Sequence, residues 1–393
     1  VGRGRVVLTS RRTTRRALLG GGALGLAALA GCSADDPPSA VPSPGPGPTP
    51  SDTPTPTPTA TATAAETPTA SSPPDPQVAG EVATGLAVAW GMAFLPDGSA
   101  LVGERDTGRV LRVSPGSAEP VGRITVRSRV DEAGESGLLG LALHPEFATN
   151  GWVYAYASVG EGNRVVRMSY DAARARLGEP EVVLDGIAAS VHHNGGALLF
   201  ADGLLHVATG DAERPDAAPD PGALEGKVLR VTDTGAAPPG ATSRVWTRGH
   251  RNVEGLALDE RGRVWASEFG DKGADELNLL RGGRDYGWPE VEGDSGGRFA
   301  DPFAQWPVEE CSPAGLAITR GRAWLGALRG ECLWSVELEG PDAGRTRRHL
   351  AGEFGRIRAV VAAPDGSLWV GTSNRDGRTD PGPGDDRILH VAL

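Results

Sequence analysis

Three groups of polar residues in this 393-residue chain are spaced so that they could carry chemistry. The first is Val191-His192-His193-Asn194-Gly195-Gly196, with Thr209-Gly210-Asp211 downstream. On antiparallel strands His193 and Asp211 could meet. A carboxylate that accepts from one imidazole nitrogen fixes the tautomer and leaves the other nitrogen as a base. Twin glycines let another group approach the backbone closely. A structural histidine beside a turn aspartate would have the same spacing. The second group is Arg248-Gly249-His250-Arg251-Asn252, Arg329, and Arg356-Ile357-Arg358. Arg356 and Arg358 share a face of an extended strand. Paired arginines in a channel suit a ligand with several carboxylates, although surface arginines are plentiful here. The third group runs from Phe269-Gly270-Asp271-Lys272-Gly273 through Asp275-Glu276-Leu277-Asn278 to Asp285-Tyr286-Gly287-Trp288-Pro289. It is rich in the carboxylate and carbonyl oxygens that hard cations take. It has no EF-hand spacing, and an ordinary polar turn fits equally well.

Residues of this kind need a scaffold, and the sequence repeats one. An apolar strand, a turn with Pro, Asp or Gly, and a second apolar strand recur six times. The turns stand at 96, 145, 201, 259, 319 and 364. Ala93-Phe94-Leu95-Pro96-Asp97-Gly98 and Val361-Ala362-Ala363-Pro364-Asp365-Gly366 are the first and last. Several units add a third strand, such as Val228-Leu229-Arg230-Val231. Units of about 50 residues with three or four short strands read as blades of a β-propeller. The expectation is an all-β, six-bladed β-propeller over 79–393. Its ligand site would lie on loops at one mouth of the central channel.

What precedes is not fold. Residues 1–32 join arginines without acids to an apolar stretch, Ala17 to Ala30, which is the layout of an export signal. Thr14-Arg15-Arg16-Ala17-Leu18-Leu19 resembles a twin-arginine motif, and Leu29-Ala30-Gly31-Cys32 resembles a lipobox. The expectation is an exported protein held at the outer face of the cell membrane by lipid on Cys32. Residues 33–78, rich in Pro, Thr and Ser, read as a disordered spacer. Cys311 and Cys332 flank the Ala314–Leu325 strand pair. In an exported domain they are expected to form a disulfide, contributing about 3 kcal/mol on the chain-entropy estimate.

Composition excludes other classes. The chain has 39 Lys+Arg against 50 Asp+Glu, a net charge of −11, which disfavours nucleic acid as a partner. No apolar run is long enough to span a bilayer. With 57 Gly and 32 Pro, a helical bundle is a poor fit. Only two of the basic residues, Lys227 and Lys272, are lysines.

Six segments, taken in order, resemble the soluble aldose dehydrogenases that use pyrroloquinoline quinone (PQQ), the glucose/sorbosone dehydrogenase family. They are Trp90 to Gly98, Gly134 to Pro145, His193 to Gly196, Gly249 to Asn252, Asp275 to Asn278 with Tyr286 to Pro289, and Arg356 to Arg358. The resemblance covers about 80–393 and implies a six-bladed propeller. It implies that His193 is the catalytic base and Asp211 its orienting carboxylate. Arg251, Asn252, Arg329, Arg356 and Arg358 would clamp the quinone's carboxylates, with Glu135 beside quinone or substrate. The carbonyls of Gly270 and Asp271 would hold the cofactor's Ca²⁺. Glu276 and the Tyr286 carbonyl would form a second, structural Ca²⁺ site. The implied reaction takes an aldose to its lactone by proton removal and hydride transfer, with an external electron acceptor.

The sequence departs from that pattern at Asp271, Ala197, Val308 and Arg329, which bears on cofactor affinity and sugar preference. Two other readings stand beside this one. One is a propeller that binds glycans or a protein partner without catalysis. The other is a Ca²⁺ lactonase, which would need a ring of carboxylates where this chain supplies arginines.

Overall fold

The structure is a computed structural model that describes residues 75–129 and 133–393. The expected export signal, Cys32 and nearly all of the expected spacer lie outside the described residues. Six antiparallel sheets follow one another along the chain. Each begins with an inner strand: Ala89–Phe94, Leu138–Leu143, Gly195–Ala201, Asn252–Leu258, Pro313–Thr319 and Ile357–Ala362. Each inner strand touches the next, and the sixth touches the first, so the ring closes. The six-bladed propeller expected from the repeats is the fold. Among the described residues, helix is confined to Phe147–Asn150 and the 3₁₀ turn Pro215–Ala217.

The strands are apolar on both faces because each blade is packed between two others. Six apolar clusters fill the six interfaces, one apiece. Between blades 4 and 5, for example, Trp265 and Leu277 meet Leu316, Leu325 and Val336. Burying each such side chain contributes roughly 1.5–3 kcal/mol.

The sixth blade is the exception in its order. Its inner strands are Ile357–Ala362, Leu368–Thr372 and Ile388–Ala392, but its outermost strand is Gln77–Ala83. Gln77 lies opposite Ala392 and Ala83 opposite Ile388. The start of the domain thus clasps its end. The expected boundary at 79 falls inside this strand, so the spacer ends earlier than expected. The reason is that the strand draws its partners from the far end of the chain, and its own pattern does not announce it.

The expected disulfide is corrected: Cys311 and Cys332 are free thiols, both buried. Main-chain bonds already join their segments, with the amides of Arg329 and Gly330 donating to the Cys311 carbonyl at 3.2 and 3.1 Å. Both sulfurs fill the apolar interface between blades 4 and 5. Burial pushes both thiols above their usual pKa, so neither is a ready thiolate.

Candidate functional site

The inner strands of the propeller begin at one mouth of the channel, and the loops that lead into them carry the polar groups. His193 stands two residues before the inner strand of blade 3, and Asp211 two residues after the strand Leu204–Thr209 beside it. The His193 Nδ1 lies 2.8 Å from Asp211 Oδ1. The other Asp211 oxygen accepts from Trp288 Nε1 at 2.9 Å. The carboxylate is therefore fixed on both sides, and Asp211 is buried. The arrangement assigns Nδ1–H to the Asp211 side and leaves Nε2 as the acceptor. His193 has φ +56°, a left-handed conformation that a non-glycine residue adopts only when its surroundings hold it. Here Glu135 accepts from its main-chain N–H at 2.8 Å, and Ala212 N–H donates to its carbonyl at 3.0 Å. Gly210 makes room: a Cβ there would stand 1.9 Å from the His193 carbonyl oxygen.

The arginines converge as well. Arg356 donates from Nε to Asp376 Oδ2 at 2.9 Å and from Nη1 to the Leu328 carbonyl at 3.2 Å. Arg358 contacts Glu254 and donates to Ser373 Oγ at 3.1 Å. Asp376 also faces Arg358, at 3.8 Å. Burial penalises the Asp376 carboxylate, yet Arg358 and Arg356 hold its pKa below the usual range. Glu254 goes the other way, because burial raises it more than Arg358 lowers it. Glu135 is held low despite burial, chiefly by Arg378, whose Nη2 donates to Glu135 Oε1 at 3.2 Å. Arg251 lies over the Trp288 ring at 5.4 Å and donates to Asp271 Oδ1 at 3.2 Å. Its Nε is buried with no partner among the described residues. An unused buried donor beside an aromatic face fits a planar, acidic ligand.

Not every expected clamp residue sits in the clamp. Asn252 is buried, and its Oδ1 accepts from Gly195 N–H at 2.9 Å, so it joins blade 4 to the glycine turn after His193. Arg329 is exposed and makes no ion pair among the described residues; only its main chain lies near Arg356, through Leu328.

Beside Arg251 lie the oxygen donors. Glu276, Glu268 and Glu292, with Gly270 and Tyr286, line a void of about 10 Å³. Burial, and then the neighbouring Glu268, pushes Glu276 up to about 8. Asn278 Nδ2 donates to both Glu268 and Glu276, at 3.1 and 2.8 Å, while its Oδ1 is buried without a partner among the described residues. A cation would relieve both the crowding of carboxylates and the orphaned oxygen. Among the described residues no three His, Cys, Asp or Glu side chains form a ready metal cluster. Carbonyl oxygens would have to complete any coordination, as expected for Gly270, Asp271 and Tyr286. Asp271 spends its carboxylate on Arg251 and Lys272, so only its carbonyl is available in that role.

Sequence reasoning missed Glu254, Asp376, Arg378 and Glu268. Glu254 had one signal, since it stands two residues after Asn252 on the same strand face. Asp376 and Arg378 lie in a loop, 373–387, with no periodicity, and gain meaning only when blade 6 is placed in the ring.

Fold and site together define a six-bladed propeller with an oriented His193–Asp211 pair and a cluster of buried arginines. The sequence model described as Glucose / Sorbosone dehydrogenase matches residues 86–380. The PQQ-bound aldose sugar dehydrogenase of Streptomyces coelicolor is 43% identical, with a TM-score of 0.77, over 81% of this chain and 99% of that one. Quinoprotein glucose dehydrogenase B of Acinetobacter calcoaceticus is 30% identical over 61% of this chain and 59% of its own length. Aldose sugar dehydrogenase YliI of Escherichia coli is 27% identical over 73% of this chain and 88% of its own length. The chain belongs to the glucose/sorbosone dehydrogenase family of oxidoreductases.

Proposed function

We propose that this chain is a PQQ- and Ca²⁺-dependent sugar dehydrogenase that oxidises aldoses at the anomeric carbon to lactones. The observation that carries the reading is the His193–Asp211 pair, braced by Trp288, facing the same channel mouth as Arg356 and Arg358. Membership of the family supports it, as does the PQQ named for the Streptomyces relative. When bound, PQQ beside Ca²⁺ supplies the electrophilic carbon that accepts a hydride. His193 Nε2 takes the proton of the anomeric hydroxyl, and Asp211 stabilises the imidazolium that results. Arg251, Arg356 and Arg358 hold the cofactor's carboxylates, displacing part of their present pairing with Asp271, Asp376 and Glu254. Gly270 and Asp271 offer carbonyls to the cofactor's Ca²⁺, and Glu276 with Tyr286 holds a structural one. An external acceptor takes the electrons away.

Calorimetric titration of the Ca²⁺-loaded protein with PQQ is the test. One-to-one, Ca²⁺-dependent binding is expected, severely weakened in Arg356→Ala/Arg358→Ala. His193→Ala should still bind PQQ but reduce no dye with any aldose. No binding to the folded protein would overturn the reading in favour of a non-catalytic glycan or protein binder.

We also propose export and lipid anchoring at Cys32, resting on the Leu29-Ala30-Gly31-Cys32 motif. Cys32→Ala should move the protein from the membrane fraction to the soluble one. Unchanged fractionation would reject the anchor.

A further inference from the structure

Lys227 is one of two lysines in a chain with 39 basic residues, and it is completely buried. Among the described residues its ammonium has no carboxylate in hydrogen-bonding contact. Instead Nζ donates to three main-chain carbonyls, those of Ala217 at 2.7 Å, Ala218 at 2.9 Å and Glu225 at 2.5 Å. All three belong to the loop 212–226, which leaves Asp211 and returns to Lys227. Three carbonyl oxygens around one compact charge is the arrangement that proteins use for bound cations. An ammonium has three donors about a point and matches it; a planar guanidinium does not.

The loop needs such a hold. It opens on two residues with positive φ, Ala212 at +51° and Glu213 at +57°. Such a conformation is strained for a residue with a side chain and persists only where the surroundings impose it. The loop also touches the base directly, since Ala212 N–H donates to the His193 carbonyl. The Ala218 carbonyl is shared: it accepts from Lys227 and, at 2.9 Å, from Gly249 N–H. One ammonium therefore ties the loop to the segment that presents Arg251 and Asn252. Burial draws its pKa down to about 8, with Glu225 and Asp220 acting in the opposite sense, so the charge persists at neutral pH.

We propose that Lys227 is a positioning residue, a built-in cation that sets the loop 212–226 against the His193–Asp211 pair and shapes the part of the mouth where the sugar enters. The kinetic part of this inference rests on the proposed dehydrogenase reading; the structural part does not.

The test uses the full chain with Lys227→Met, Lys227→Ala and, keeping the charge, Lys227→Arg. Hydrogen–deuterium exchange without cofactor comes first. Amides of 212–226 should exchange at least ten times faster in all three variants, with the inner strands of the other five blades unchanged. In Lys227→Ala, propylammonium should restore slow exchange and tetramethylammonium should not, because only the first fills the vacated stem and donates to three carbonyls. In the PQQ-loaded protein, KM for aldose should rise about tenfold or more while kcat changes less than threefold. Unchanged loop exchange in folded Lys227→Met, wild-type exchange in Lys227→Arg, or no rescue by propylammonium would each overturn the proposal. So would a loosened loop with unchanged KM. If the wild type oxidises no aldose, the dehydrogenase reading fails, while the exchange arm still decides the role of Lys227 as the loop's cation.

Discussion

At the residue scale, the site works through pairs that fix each other. Asp211 has one oxygen on His193 and the other on Trp288, so it cannot turn away from the imidazole. Asp211→Asn would place an amide where Nδ1–H now donates and would favour the wrong tautomer. The expected result is a loss of about 10²–10⁴ in kcat, the span attributed to one positioned acid–base group, with little change in PQQ affinity. Steady-state kinetics beside calorimetry would check it, and a fall in affinity of equal size would assign Asp211 to cofactor binding instead. The pairing of His193 with Asp211 is legible in the sequence, because both stand at the ends of neighbouring strands in one repeat. The partners of the arginines are not. Glu254 sits on blade 4, and only ring closure brings it to Arg358 on blade 6; Asp376 shares blade 6 with Arg358 but comes from a loop without periodicity.

At the scale of the elements, the blades were legible because each must be apolar on two faces, a pattern that recurs with the turns. The cysteines show where that logic stops. Spacing on a hairpin puts Cys311 and Cys332 near each other, as they are, but proximity in a core does not make a bond. Blade 3 carries a different consequence. His206, on the strand Leu204–Thr209, is buried beside Arg230 and Trp246, and its Nδ1 has no partner among the described residues. Burial, and then Arg230, depresses its pKa to about 4. The unfolded chain takes up this proton near pH 6.5, the folded one only near 4. His206 thus withdraws stability as pH falls through that window, by up to about 3 kcal/mol at 1.36 kcal/mol per unit. His206→Leu should flatten the melting temperature between pH 6.5 and 4 relative to wild type. Parallel pH profiles would show that His206 carries none of the acid sensitivity.

At the scale of the whole described domain the fold is a ring, and a ring needs a seam. Here the seam is the strand Gln77–Ala83, which completes blade 6 and buries Val82 and Ala83 between blades 6 and 1. Sequence reading placed the boundary two residues inside this strand and missed the strand itself. Its run of Gln77-Val78-Ala79-Gly80-Glu81 is largely exposed and adjoins the proline-rich spacer. Its partner lies at the other end of the chain, beyond any local pattern. Removing residues up to 83 takes away one buried valine and a full ladder of main-chain bonds. A loss of about 3 kcal/mol would lower the melting temperature by roughly 5 °C in a domain of this size. Scanning calorimetry of the truncated protein would measure it; an unchanged transition would show that the ring closes without its clasp.

The seam also sets an order in time. The first strand of the domain to be synthesised is the last to find its place, because Gln77 must wait for Ala392. At about 5–20 residues per second that wait lasts on the order of 15–60 s. Throughout it, the strand is an unmated edge of the kind that recruits neighbouring chains. Gly80 and Glu81, which look like weaknesses in a strand, are what allow this one to remain single until its own partner arrives.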